Sequence, residues 1–310
     1  FYPVDLTNSY YTKPVNFSGS TYQDEVRFDG SVYKDEADFG SSIYKSWATF
    51  DGSTYTGWVG FNCSTYQSWA DFSNSTCQSE VYFSDSTYKG KADFSGSTYQ
   101  NEVYFSYSTY QSEADFSDSI YQDKADFSDS TYRGWADFRN STYQGRAGFT
   151  DSIYQNEVYF SGSTYEDKAN FSGSIFCGDV YYGKDRYNSN FSRFTECTPQ
   201  FYNENSHQNT LFGSPNNNFI VDTDKGYPIN LNSEGIPPGC KFLTSEQKEY
   251  LADKFQEIDE TKNKLREVKD PKEKAELSKN LQALDENLYE WREEATTVKV
   301  EGTALGEEDN

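Results

Sequence analysis

Polar and apolar positions in the first half of the chain repeat with a period of eleven. Phenylalanine stands at 17, 28, 39 and every eleventh position to 171, and Tyr182 takes the next slot. Three residues after each Phe comes Ser, from Ser20 to Ser174, and two further on comes Tyr, replaced only by Cys77 and Phe176. From Phe28 onward, Ala or Val lies two before each Phe. The unit contains two triplets, A-x-F and S-x-Y, whose marked residues lie two apart and so share a face of an extended chain. Between triplets lie two- and three-residue joints rich in Gly, Asn, Asp and Ser, the residues that corners require. Apolar spacing of three and four is missing here, which excludes helix. The pattern predicts short strand, corner, short strand, corner.

Strands this short cannot hold a hairpin meander together. A solenoid, in which each triplet stacks on its equivalent one coil later at about 4.8 Å, turns identical residues into columns and explains why identity is kept. The expected inward columns include Phe72, Phe83, Phe94, Phe105, Phe116, Tyr88, Tyr99 and Tyr110. A buried phenol needs a partner for its hydroxyl, and the inward Ser is the candidate.

The run "ADFSGSTYQ" resembles the pentapeptide-repeat proteins, specifically a longer variant in which five- and six-residue units alternate. The resemblance covers about residues 15–182 and holds in register throughout. It implies a mainly β fold, a right-handed parallel β-helix with four sides and with small and central residues inward. Tyr at every second central position departs from the family pattern and leaves the orientation of S-T-Y open. Val59, Val81 and Val103, with Ala70, Ala92 and Ala114 between them, favour two units per coil. That gives seven to eight coils and a rod of roughly 35 Å. Ala125, Ala136 and Ala147 break the alternation, so a one-unit coil stays open.

The repeat defines a first region, 1–182. Residues 183–243, rich in Asn, Ser, Gly and Pro, read as an irregular cap, since a solenoid's last coil exposes backbone and apolar residues. Residues 244–297 read as an antiparallel helical hairpin. Thr244 with Gln247 makes a capping box, and Leu251, Phe255, Ile258 and Leu265 mark one stripe. Asp270, Pro271 and Glu273 restart the chain as cap, first helical residue and box partner. Leu277, Leu281, Leu284, Leu288 and Trp291 mark the second stripe. Residues 296–300 are a candidate edge strand, and 298–310 an acidic tail of disordered composition.

Net charge is −23, which argues against nucleic acid and anionic membrane surfaces as partners. No apolar run reaches the roughly eighteen residues that span a bilayer. Methionine is absent, and a chain starting at Phe1 reads as one trimmed of a leader. Sequons at Asn16, Asn62, Asn74, Asn140, Asn170 and Asn190 are candidate N-glycosylation sites, although a repeat rich in Ser, Thr and Asn generates N-x-S by chance. These features favour an extracellular or cell-surface location.

Five cysteines, Cys63, Cys77, Cys177, Cys197 and Cys240, are candidates for disulfides or cross-links, and none has metal spacing. Cys177 and Cys197 flank the end of the repeat and are placed to pin its last coil. Cys77 reads as a buried thiol. Cys63 sits on a corner and, as an exposed odd cysteine, suggests a cross-link between chains.

Little chemistry is present. His207 is the only histidine, and no nucleophile–base arrangement surrounds it. No cofactor is implied. A column of Asp71, Asp93, Asp115, Asp126 and Asp137 offers calcium a weak opportunity but reads as a solubilising face. "DTDKG" lacks the later acidic ligand of a calcium loop. The outward threonines Thr87, Thr98, Thr109, Thr131 and Thr142 resemble an ice-binding face, but Ile120 and Ile153 interrupt a single rank. The sequence expectation is a non-enzymatic extracellular structural protein that self-assembles into a filament, sheath or surface layer. The alternative is a surface binding or adhesion module, with the solenoid as stalk and the hairpin as partner site. Its own copies are the expected partner, with cell-wall or surface glycans a further candidate. Resemblance alone adds DNA mimicry toward topoisomerases, which the secretion features oppose.

Overall fold

The structure, a computed structural model, describes residues 3–268 and 270–298. Each triplet contributes a two-residue strand, and successive strands fall on four faces in turn. The first face runs from Val4–Asp5 to Val180–Tyr181, the second from Tyr10–Tyr11 to Arg193–Phe194, and the third from Val15–Asn16 to Ala169–Asn170. The fourth runs from Thr21–Tyr22 to Lys241–Phe242. Every pairing within these faces is parallel, and within the repeat region it joins residues two units apart, as in Ala70↔Ala92↔Ala114 and Tyr88↔Tyr110. The molecule is a parallel β-solenoid of about eight turns, with two repeat units per turn.

The core is a column of rings. Phe94 stacks on Phe116 at 5.0 Å and 3°, and meets Phe105 edge-on at 5.0 Å and 75°. Tyr88 stacks on Tyr110 at 4.9 Å and 1° and stands edge-on to Phe94 at 5.6 Å. Offset stacking along the axis and edge-to-face contact across it are the two geometries a ring quadrupole favours. Both triplets therefore face inward, and S-T-Y contributes as much to the core as A-D-F.

The inward serines direct their close hydrogen bonds to backbone; Ser97 and Ser108 also stand near the Tyr99 and Tyr110 phenols and offset a part of the burial that raises them. Ser97 Oγ donates to Phe72 O at 3.3 Å and accepts the Ser75 N–H at 3.1 Å, and the pattern recurs from coil to coil, as at Ser119 and Ser141. These hydroxyls occupy corner backbone groups that the strands cannot reach. Tyr88, Tyr99, Tyr110 and several other core phenols are left without a hydrogen-bond partner.

Corners fall on two columns of left-handed backbone. One holds Asn8, Gly30, Gly52, Asn74, Gly96, Asp118, Asn140 and Gly162; the other holds Gly19, Ser41, Cys63, Asp85, Tyr107, Asp129, Asp151 and Gly173. Gly, Asn and Asp tolerate this region best, which accounts for the polar joints of the repeat.

Two-unit coils put alternate repeats on opposite faces, which corrects the single outward columns inferred from sequence. Thr87, Thr109 and Thr131 belong to the fourth face, and Thr98 and Thr142 to the second. Asp71, Asp93, Asp115 and Asp137 lie on the first face, and Asp126 on the third.

Residues 183–243 close the far end of the solenoid. Arg193–Phe194 extends the second face, and Leu211–Phe212 and Lys241–Phe242 extend the fourth. Phe201, Phe219, Ile236 and Cys240 cover the last rings of the core. The expected disulfides are not formed: all five cysteines are free. Strand pairing and this apolar cover hold the last coil where Cys177 and Cys197 were expected to pin it. Cys77 sits between Tyr55 and Tyr99 in its column, away from other thiols in register.

Two helices follow, α1 (Ser245–Glu267) and α2 (Pro271–Thr296). Thr244 and Gln247 form the reciprocal capping box of α1, and Asp270 Oδ1 accepts the Lys272 and Glu273 N–H groups at the start of α2. Tyr250 near the start of α1 stacks on Trp291 near the end of α2 at 4.8 Å, so the helices are antiparallel. Of the candidate edge strand, Thr296 ends α2 and Thr297 makes one antiparallel bridge to Gln208. Lys299 and Val300, and the tail beyond them, lie outside the described residues.

Candidate functional site

The hairpin lies along the fourth face, and the outward residues there decide how tightly. Along the axis that column reads Thr65, Thr87, Thr109, Thr131, Ile153, Ile175 and Leu211. Over its apolar end the contact is packed: Ile153, Ile175, Leu211 and Leu243 bury against Leu251, Phe255, Ile258, Leu284 and Leu288, and a groove of about 590 Å³ runs beneath α1 beside Gln155, Cys177 and Gly213. The switch from Thr to Ile and Leu marks where burial of apolar area outweighs leaving the face in water.

Two buried arginines clamp the hairpin. Arg133, on the residue after the strand Thr131–Tyr132, approaches Asp285 of α2 at 2.5 Å and Asp259 of α1 at 3.8 Å. Arg292 of α2 approaches Asp151 at 2.7 Å and Asp129 at 3.6 Å, two left-handed corner residues. Their side chains are only 4% and 1% exposed. Burial lowers the Arg133 pKa, with Asp285 and Asp259 opposing. It likewise raises the carboxyls of Asp129, Asp151 and Asp285, with the arginines holding them down in part.

Past the arginines the column is polar, and the hairpin stands off. A cleft of about 530 Å³ opens between the threonine ladder and α2, walled by Tyr107 from the solenoid and Tyr289 from the helix. It continues into a recess of about 330 Å³ beside Gln67, Lys89, Gln111, Lys262 and Lys274. The Tyr289 hydroxyl donates to Asp129 Oδ1 at 3.4 Å, and the Arg292 guanidinium covers its ring at 4.5 Å.

The residues singled out from sequence are placed elsewhere. Phe72, Phe83, Phe94, Phe105, Phe116, Tyr88, Tyr99 and Tyr110 are buried in the core columns. Cys63 is an exposed corner residue, Cys77 and Cys240 are buried, and Cys177 lines the groove beneath α1. Burial pushes the Cys177 and Cys240 thiols up to about 12. Asn16, Asn74, Asn140 and Asn190 are exposed; Asn62 and Asn170 are half-buried. His207 is exposed at a turn, and its carbonyl accepts the Val298 N–H. Asp222 of "DTDKG" is engaged by Arg193 at 3.3 Å. Among the described residues, no group of three or more His, Cys, Asp or Glu is arranged to hold a metal ion, and no helix is long and apolar enough to cross a membrane.

Sequence reasoning missed the cleft and its clamps, though signals existed. Arg133 interrupts the column Gln67, Lys89, Gln111, Gln155, and Tyr107 occupies a corner where its coil neighbours carry Asp. Comparison with family models, with curated proteins and with solved structures returned no match.

Proposed function

We propose that this chain is a non-catalytic display module of the cell surface: a rigid solenoid capped at one end, carrying a partner-binding cleft between its fourth face and the hairpin. The observation that carries this reading is the change along the junction, where α2 packs on the apolar column at Ile153, Ile175 and Leu211 and stands off from the hydroxyl column Thr65–Thr131. A hairpin serving only as a cap would bury its whole length. The scarcity of acid–base partners and the even spacing of carboxylates support a non-enzymatic role. Exposed sequons support an extracellular location, and the motif A-D-F-S-x-S-T-Y supports membership of the pentapeptide-repeat family.

A second reading, assembly of rods into a filament, sheath or surface layer, is favoured by the strand edges of the first coil, which are unpaired on their outer side among the described residues. Exposed Cys63 offers such an assembly a cross-link between copies. The covered far end opposes it, because head-to-tail growth needs two complementary open ends. Sedimentation and negative-stain microscopy across a range of concentrations, with and without reductant, test the choice. Discrete rods of monomer mass are expected; concentration-dependent polymers overturn the display reading in favour of assembly.

A further inference from the structure

The cleft has a chemistry of its own. Its floor is a ladder of hydroxyls, Thr65, Thr87, Thr109 and Thr131, repeating at the coil rise of about 4.8 Å. Beside it run the amides of Gln67 and Gln111 with Lys89 between them, and Lys262 and Lys274 line the same recess from the helices. Hydroxyls and amides both donate and accept hydrogen bonds, so the floor matches a ligand that does the same at regular intervals. A phosphate chain or polycation would call for charge of one sign, whereas this cleft carries both signs, Lys89 on one side and Asp129, Asp285 and Glu286 on the other.

Tyr107 is the residue the fold does not explain. Its backbone is left-handed, with φ at 55°, and its side chain is 58% exposed. The equivalent corners one coil away carry Asp85 and Asp129. A left-handed conformation costs an L-residue roughly 1–2 kcal/mol, and Asp recovers part of that through local hydrogen bonding. An aromatic side chain recovers nothing comparable and buries no core area here. Strain kept at an exposed position in a cleft is a feature of binding sites. Tyr289 faces the same cleft from α2, 38% exposed, held by Asp129 at its hydroxyl and by Arg292 over its ring. Asp129 also stands beside the Tyr107 hydroxyl, whose pKa it raises. Two rings thus gather about one carboxylate at the end of a hydroxyl ladder.

We propose that this cleft binds a neutral oligosaccharide laid along the solenoid axis, its hydroxyls on the Thr65–Thr131 ladder and its sugar faces against Tyr107 and Tyr289. Sugar rings present an apolar C–H face to aromatic side chains and equatorial hydroxyls to polar ones, and a glycan repeats one ring at a time. The carboxylates of Asp129, Asp285 and Glu286 in the walls offset Lys89 and the recess lysines Lys262 and Lys274, and the net charge of −23 disfavours uronate or sulfated chains. The inference rests on the display reading and gives its ligand a class.

The test is isothermal calorimetry on the full chain with hexasaccharides of β-glucan, mannan, xylan, galactan and chitin, and with polygalacturonate as anionic comparator. At least one neutral hexasaccharide is expected to bind. Tyr107→Asp, the residue of the neighbouring corners, is expected to weaken that binding at least tenfold with no loss of melting temperature. The pair Thr87→Val and Thr109→Val, on the outer face away from the core, provides a second variant with the same expected loss. Failure of every neutral sugar, undiminished binding in these variants, or preference for polygalacturonate overturns the proposal. Discrete rods that bind none of the sugars overturn this inference alone and leave the display reading standing; polymers remove the display reading itself.

Discussion

Ser and Tyr, two residues apart in every unit, have opposite energetic roles. Ser97 bonds two backbone groups of the corner one coil before it, Phe72 O and the Ser75 N–H, and its loss strands a buried carbonyl and a buried N–H. Tyr99 carries its hydroxyl into the core and finds no partner there. An unmet buried polar group costs about 1–3 kcal/mol, whereas removing one that was never satisfied recovers part of that cost. Ser97→Ala is therefore expected to destabilise the protein by about 2 kcal/mol and Tyr99→Phe to stabilise it by about 1 kcal/mol. Urea unfolding at unchanged m reads both; a loss in Tyr99→Phe matching that in Ser97→Ala would mean the phenol is bonded after all. Both residues were legible as inward-facing from their period. Their partners were not, because a serine satisfied by backbone and one satisfied by a phenol leave the same letter in the sequence. The constancy of Ser from coil to coil has this backbone role as its physical reason: each hydroxyl ties its own coil to the corner of the preceding one, so a gap at one breaks the ladder.

At the level of elements, the two helices were readable to their caps, since Thr244, Asp270 and the leucine stripes act within a few residues of each other. Their docking was not readable. Arg133 and Asp285 stand 152 residues apart, and nothing local to either predicts the other. The apolar stripe announced that α1 and α2 cover something, and the outward Ile153, met in the sequence only as an interruption of a threonine rank, was with Ile175 part of the surface being covered. The clamp makes a prediction of its own. Removing Arg292 leaves Asp129 and Asp151 facing each other under the hairpin without a counter-charge, and breaking a buried pair in this way costs about 3–5 kcal/mol. Arg292→Ala is expected to raise hydrogen exchange throughout α1 and α2 while the amides of the solenoid core keep their protection. Uniform loss of protection would mean the hairpin and solenoid unfold as one unit, with the arginine merely part of a common core.

For the whole molecule, the period made the solenoid and its stacked core legible from one short motif, because a repeat of identical residues has few ways to fold. How its far end is closed was hidden, since residues 183–243 abandon the period and use Phe201, Phe219 and Ile236 singly. The same stacking that builds the rod also concentrates titratable groups, and this sets its pH behaviour. Burial raises the phenols of Tyr44, Tyr66, Tyr88, Tyr110 and Tyr143 well above the usual 10.0. A raised folded pKa means that the unfolded chain loses its protons first, so their contribution is intact below pH 10 and is lost as pH rises beyond it. Tyr44, Tyr66, Tyr88 and Tyr110 stack in the fourth-face column and Tyr143 in the second, and because stacked phenolates repel one another the loss is cooperative along the rod. Alkaline titration followed at the phenolate absorbance is expected to show a first set of exposed tyrosines, then a steep rise coincident with loss of the β-sheet circular dichroism. The acid side has the same sign: burial raises Asp71, Asp115, Asp129 and Asp151 above 3.8, so the folded state gains protons first and melting temperature is expected to climb as pH falls from neutral toward 4. A smooth phenol titration with no structural transition would place the rings in water, and a melting temperature that falls steadily between pH 7 and pH 5 would mean that the carboxylates are held by favourable charge partners, with burial the lesser influence.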